Sequence, residues 1–518
     1  MKWSARIISF INKVHPAVWV VFVLSIYFLG FVLDGNEEQY LGYARKFYDP
    51  SWMAGTDVFE DFPGSRILFQ WITGFFLQHF SFEQVAFWGR LISYILVAFP
   101  LAGILRMRGI SNIAFLIWFP VFYLPQQSLF AGEWIFGPLE SKTISYAFVL
   151  ASLYFLLREK YLPSVIFAII AVYWHLLAGG WWAFYLFVYL LLRKTSVKKV
   201  IMLAGIFLLL FLPLLFYLYS GLIKNNSPIV NGINTNYIYV FFRNPHHIGL
   251  FASSSYFFHR HFLRVIFAAG VFVAALLIGR SWKTGILSRL NLLLIIILSQ
   301  VFVSLGIALF DKQGYFLKYY PFRGNGLAMF LFQLEGIILL SEFVRKKAKV
   351  PGDFIGRITG NSLVVLLVLI VSYGFLISGR IGKRKTDQRH AQIARTIAED
   401  IKREINREDE FLLLCEDPDN ILSIPRISER KPFVVYRFVP TRADQIYEWY
   451  RKVLLNRKVQ DNPGLLLSDS SLKNIRAVVS CRPLEGDFLR LISVEDYLYL
   501  YKVVRGKESA ATEREQAE

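Results

Sequence analysis

Charge is scarce in this sequence: only 18% of its 518 residues are Asp, Glu, Lys or Arg. Soluble globular chains carry about 25%. Cysteine is almost missing, with Cys415 and Cys481 the two present. Neither stands in a metal-type Cys/His spacing, so a zinc-finger or iron–sulfur reading is excluded. No GxxxxGK[ST] stretch occurs, which excludes a P-loop ATPase. The basic, apolar N-terminus has no small-x-small site before Asp34, so it reads as a first membrane helix rather than a cleaved signal.

Apolar residues fill the space that charge leaves. Hydrophobic residues make up 55% of the chain and aromatics 17%, with a mean hydropathy of +0.43. Runs such as "VLLVLIVSYGFLI" are built for lipid. The net charge of +19 falls in short clusters between apolar runs, "RMRG", "LREK", "RKTSVKK", "RSWK" and "RKKAK". That pattern fits cytoplasmic loops beside anionic lipid rather than a nucleic-acid surface.

Threading the apolar runs with alternating sides gives a polytopic α-helical membrane protein with about eleven spans. The N-terminus is cytoplasmic and the C-terminal part extracytoplasmic. The first helix covers about 16–33. Residues 66–80 are too short for a span and read as a juxtamembrane or re-entrant helix. "HLLAGGWW" reads as a tight outer hairpin. The expected division is a transmembrane domain at 1–379, with 34–80 as its first outer loop, an α/β domain at 380–505, and a disordered polar tail at 506–518. Within the α/β part, "EFLLLC", "KPFVVYRF", "IRAVVS" and "DYLYLYKVV" read as strands and "RADQIYEWYRKVLLN" as a helix. The two cysteines can pair there if that part meets an oxidising compartment.

The acidic residues are unevenly spread. Of 15 in residues 1–379, seven fall between Asp34 and Asp61, although acidic side chains hardly affect topology. Local physics explains part of "FVLDGNEEQYLGYARKFYDP". Asn36 can cap a helix with Gln39 as its box partner, and Glu37 and Glu38 suit the first turn. Tyr40, Tyr43, Ala44 and Phe47 make one face suited to the membrane interface. Asp34 makes no obvious cap and is left over.

This arrangement resembles the GT-C superfamily of membrane glycosyltransferases. Further segments, "NEEQYL", "GEWIFGPLESK", "RNPHH", "YPFRG" and "RISERKPFVVYRFVP…IYEWYRK", look like a bacterial family of polytopic membrane proteins within or near it. The resemblance implies a GT-C-like fold whose catalytic carboxylate lies in the first outer loop, which puts Asp34 first and Glu37 second. It implies a polyprenyl-phosphate-linked sugar as donor and an acceptor at the outer face. A carboxylate takes the acceptor hydroxyl's proton and cations neutralise the phosphate. A divalent metal, Mg or Mn, can assist, but no metal ligands are assigned.

Candidate binding residues follow from these tasks. Glu133 and Glu140 face the first loop from the second, with interfacial anchoring the plainer reading. Arg243, His246 and His247 offer donors for phosphate, or only a structured turn. Lys318 and Arg323 stand at an outer mouth, where snorkelling is the plainer reading. His175 beside "AGG" and Arg66 near the first loop complete the set. A lipid or solute transporter or flippase, and a non-catalytic GT-C scaffold, stay open as alternatives. Against transport stand the single acidic loop and the lack of an evident inverted repeat.

Overall fold

The computed structural model describes residues 2–60, 66–224, 227–279, 285–347, 361–415 and 421–505. The tail at 506–518, Asp61, "RSWK" and the end of "RKKAK" lie outside the described residues. The fold is a polytopic helical membrane protein with a C-terminal mixed β-sheet. Among the described residues, six helices are long and apolar enough to cross a membrane, and one bent pair makes a seventh. Shorter apolar helices occupy several of the other expected spans.

The chain enters through α1 (Lys2–Lys13) and turns by 97° into α2 (Pro16–Phe28). His15 makes that corner, capping α2 by accepting from the Ala17 N–H, and Pro16 suits its first helical position. The first membrane helix thus starts where expected but ends at Phe28 rather than near 33, and a separate helix bearing the exposed Trp3 and Phe10 precedes it. α3 (Gly35–Tyr48) and α4 (Ile67–Leu77) follow, then α5 (Phe82–Met107). α6 (Asn112–Trp118), α7 (Ser141–Leu157), α8 (Tyr161–Trp174) and α9 (Leu176–Leu192) are shorter.

The "HLLAGGWW" hairpin is tighter than expected. His175 alone separates α8 from α9, and the rest is the first turns of α9. A Cβ at Gly179 would lie 2.3 Å from the Val172 nitrogen, so only glycine lets the two helices meet so closely. α10 (Val197–Leu218), α11 (Phe262–Gly279), α12 (Gly285–Ala308) and α13 (Gly324–Lys347) complete the apolar bundle.

α14 (Ser362–Glu404) is one helix of 43 residues, about 65 Å long. Its first half is apolar and its second half is polar, so it leaves the bundle without a break; residue 380 lies inside it. Arg384 donates to the carbonyls of Ser25, Ile26 and Leu29, which fixes that exit beside the end of α2.

Beyond α14 come strands β1 (Glu410–Leu413), β2 (Lys431–Pro432), β3 (Ile475–Ser480), β4 (Leu489–Glu495) and β5 (Leu498–Val503), with α15 (Ala443–Asp461) between β2 and β3. The sheet order is β2-β1-β3-β5-β4, parallel among the first three and antiparallel beyond. "KPFVVYRF" forms only the two-residue β2, and β4 was not expected. Cys415 and Cys481 are bonded at the ends of β1 and β3.

The first loop and this sheet share one core. Tyr43, Trp52, Met53 and Phe59 pack with Ile393, Ile397, Phe411 and Phe438. The face of α3 expected at the membrane interface is thus mostly interior. Tyr43 and Ala44 are buried, and only Phe47 stays exposed.

Candidate functional site

Asp34, not Asn36, begins α3. Its side chain accepts from the Asn36 N–H at 3.0 Å, and its own N–H donates to Glu37 at 2.8 Å, a reciprocal capping box. The expected partner Gln39 instead donates to the Tyr43 hydroxyl. The misreading came from counting the box two residues late.

Glu37 is fully buried and completely engaged. Besides Asp34, it accepts from the Leu139 N–H at 2.6 Å and from Nε of Arg90 at 2.7 Å, and the Arg90 terminal nitrogen makes a second contact. Arg90 also donates to the carbonyls of Phe28, Gly30 and Val32. One buried guanidinium therefore ties the exit of α2 to the start of α3. Every contact of Glu37 is a donor, so it anchors Asp34 without a lone pair left for chemistry. Asp34 itself is exposed.

Asn36 extends the construction in two directions. Its amide nitrogen donates to Glu140, and its oxygen accepts from Arg437 at 2.9 Å. Behind Glu140 lies a buried ionic cluster. Glu133 sits 3.8 Å from Arg323 and 3.9 Å from Lys142, and Lys142 also stands 3.6 Å over the Trp134 ring. Arg323 reaches His175 at 3.4 Å and lies over Tyr320 at 4.8 Å. His175 accepts from the Ala178 N–H, capping α9. These are long ionic contacts, and Nε of Arg323 and one Glu133 oxygen are buried with no hydrogen-bond partner. Such atoms are costly unless water or ligand completes them.

The two loop glutamates differ in their electrostatics. Burial pushes the Glu133 carboxyl up, but Arg323, Lys142 and the two histidines overcome this and hold it below the ordinary range. Burial raises Glu140, and the Asp34 charge adds to it against Lys142, so it ends above the ordinary range.

The remaining candidates divide. His246 and His247 have rings 4.1 Å apart, close enough to Glu133 for charge to act between them; His247 also contacts the Ala131 carbonyl. Arg66 lies over Tyr40 and Tyr43, within electrostatic reach of His175. Arg243 instead donates to the Arg437 carbonyl and faces Tyr436. Lys318 bonds Asn236 and faces Tyr319. Among the described residues, no group of three or more His, Cys, Asp or Glu side chains is placed to hold a metal ion.

An apolar groove of about 350 Å³ runs between α8, α9 and α10, lined by Leu176, Phe184, Phe187 and Phe207 among others. Leu176, which lines it, directly follows His175 in the chain. Three cations escaped the sequence reading. Arg90 had a signal, a lone arginine inside an apolar helix, which must find partners there. Lys142 lies in the quoted "GEWIFGPLESK" and is buried. Arg437 had no signal, because its partner Asn36 is 401 residues away.

Comparison with family models and with curated proteins finds no match. Among solved structures, the chain is similar to ArnT from Cupriavidus metallidurans, in its apo state and bound to undecaprenyl phosphate. Each aligns with a TM-score of 0.46 at 12% identity, over 94% of this chain and 96% or 97% of theirs.

Proposed function

We propose that this chain is an integral membrane glycosyltransferase of GT-C type. It moves a sugar from a polyprenyl-phosphate donor to an acceptor hydroxyl at the outer membrane face. Asp34 is the base, and Glu37 positions it through the capping box. Arg323 and Lys142 receive the lipid phosphate, and the groove beside His175 holds the start of the polyprenyl chain. Residues 1–379 form the catalytic membrane part and 380–505 an outer α/β domain that covers it.

One observation carries this reading. An exposed first-loop carboxylate is fixed near a buried ionic cluster in which Nε of Arg323 and one Glu133 oxygen have no hydrogen-bond partner. A carboxylate with free capacity suits proton abstraction, and incompletely paired cations suit a phosphate leaving group. Orientation is supported from two sides. Arg106, Arg108, Arg158, Lys160, Arg193 and Lys194 fall at the helix ends opposite the site. The Cys415–Cys481 bond belongs to an oxidising compartment.

The test is reconstitution in liposomes with a polyprenyl-phosphate sugar and membrane glycan acceptors, comparing the wild type with Asp34→Asn. Transfer by the wild type and its loss in the variant are expected. If the variant instead moves lipid or solute across the bilayer as well as the wild type, and neither makes product, the protein is a transporter.

A further inference from the structure

Away from the ionic cluster, two arginines stand at the start of a membrane helix with no counter-charge. A short helix, Ser254–Arg260, follows the loop of His246 and His247, and Phe257 stacks on Phe251 at 4.6 Å. His261 joins it to α11, whose 18 residues are long and apolar enough to cross a membrane. Helical bonding continues through the joint, since the His261 N–H donates to the Phe257 carbonyl and the Val265 N–H to the His261 carbonyl. Arg260 and Arg264 are therefore one turn apart on a single face.

That face is turned away from the protein. The segment packs inward through His261 and Ala268, which are buried, whereas Arg260, Leu263, Arg264 and Phe267 are all exposed. Their spacing of three and four residues makes these four one patch. Among the described residues, neither arginine has a hydrogen bond or an ion pair. The nearby sequence cannot supply one, because no Asp or Glu occurs between Glu159 and Asp311. Like charges one turn apart repel, and a charge at the edge of the bilayer persists only with a partner. The counter-charge must come from outside the chain.

The place names its source. A helix of 18 residues is about 27 Å long, close to the ~30 Å of a bilayer's hydrocarbon, so the first turn of α11 stands at the lipid phosphates. Guanidinium groups match phosphate oxygens in pairs. Leu263 and Phe267 lie beside the arginines on the side of the bilayer core, where acyl chains run. We propose that Arg260 and Arg264 bind the phosphodiester headgroup of an anionic phospholipid, with Leu263 and Phe267 against its acyl chains. The site is separate from Arg323 and Lys142, which are buried, and it does not depend on sugar transfer.

The test places the full chain in phosphatidylcholine nanodiscs with a trace of photoactivatable phosphatidylglycerol or photoactivatable phosphatidylcholine. Cross-linked peptides are then mapped by mass spectrometry. Labelling of residues 258–270 by the glycerol lipid should exceed that by the choline lipid about tenfold or more. Arg260→Gln with Arg264→Gln should bring the two within about twofold. Arg260→Lys with Arg264→Lys should keep most of the preference, and both variants should keep the wild-type thermal midpoint because the side chains are exposed. Equal labelling of the wild type by the two lipids, or a preference that the glutamine variant retains, overturns the proposal. Competition separates the sources of phosphate. Unlabelled phosphatidylglycerol should displace the probe. Stronger displacement by undecaprenyl phosphate would assign the patch to that lipid instead, and displacement by inorganic phosphate would assign it to a free anion; either overturns the proposal.

Discussion

Arg426 donates to both carboxylate oxygens of Glu38, at 2.7 and 3.0 Å, and its other terminal nitrogen reaches Glu83 at 3.1 Å. Glu38 and Arg426 are nearly inaccessible. The pair joins the α/β domain to the first loop next to Asp34. Removing one partner of such a buried pair costs about 3–5 kcal/mol, because the other charge is left uncompensated. Arg426→Ala should lower the thermal midpoint of the purified chain sharply, and Glu38→Gln combined with Arg426→Met should recover part of the loss. Equal stability of Arg426→Ala and wild type would falsify the claim that this clasp holds the domain.

The two first-loop candidates should separate by kind of defect. Asp34→Asn keeps an N-cap and should lose about 100-fold or more in transfer rate, the range for removing a general base. Glu37→Gln leaves Arg90 facing a neutral amide and should lose folded yield along with activity. Size-exclusion profiles in detergent, run beside rate measurements, distinguish the two. A well-folded Glu37→Gln with a pure rate defect would return that residue to catalysis.

Arg323→Gln should weaken binding of undecaprenyl phosphate, measured at a temperature where the variant is still folded, since Glu133 loses a buried partner. A hydrogen bond to a charged group contributes about 1.5–3 kcal/mol, or roughly 10- to 150-fold in affinity. Scintillation proximity binding of radiolabelled lipid phosphate reads this directly. Lys318→Gln serves as the comparison, since Lys318 is turned to Asn236, and should bind as the wild type does.

Glu133 makes folding sensitive to acid. Its folded carboxyl titrates below the ordinary range, so the unfolded chain binds more protons than the folded one between the two values. The stability is whole above the ordinary value of about 4.3 and is lost as pH falls through the lower folded value. Thermal midpoints followed from about pH 6 to about pH 3 should fall less steeply for Glu133→Gln than for wild type. Parallel curves would mean that the ionic cluster is weaker than its contacts imply.

Cys415 and Cys481 close a loop of 66 residues, and losing such a bond costs about 2–5 kcal/mol. Cys415→Ser should unfold the α/β domain at lower temperature than wild type does. Thiols of the native chain should resist maleimide until a reductant is added. Free labelling without reductant would place this domain in a reducing compartment.

Much of the architecture was legible because lipid imposes a simple rule on composition. Long apolar runs became helices, and β1, β3, β5 and α15 fell where periodicity put them. Where the reading missed, the cause was a partner far along the chain. Tyr43 looked interfacial because Phe59, Ile397 and Phe438 were not visible as its neighbours. Glu38 looked like a helix-dipole charge because Arg426 lies near the other end. The hairpin at His175 was legible, but nothing local says that a glycine four residues later lets its two helices nearly touch. Ion pairs inside a fold are set by geometry, not by spacing, and the site cluster consists mostly of these.

The clasp between Glu38 and Arg426 has a consequence for synthesis. The two are 388 residues apart, and chains grow at roughly 5–20 residues per second, so the glutamate is made about 20–80 seconds before the arginine. Over that interval Trp52, Met53 and Phe59 emerge at the membrane surface without the sheet that later covers them. The site at Asp34 therefore stays open for that interval, and it closes only after the residues around Arg426 have followed.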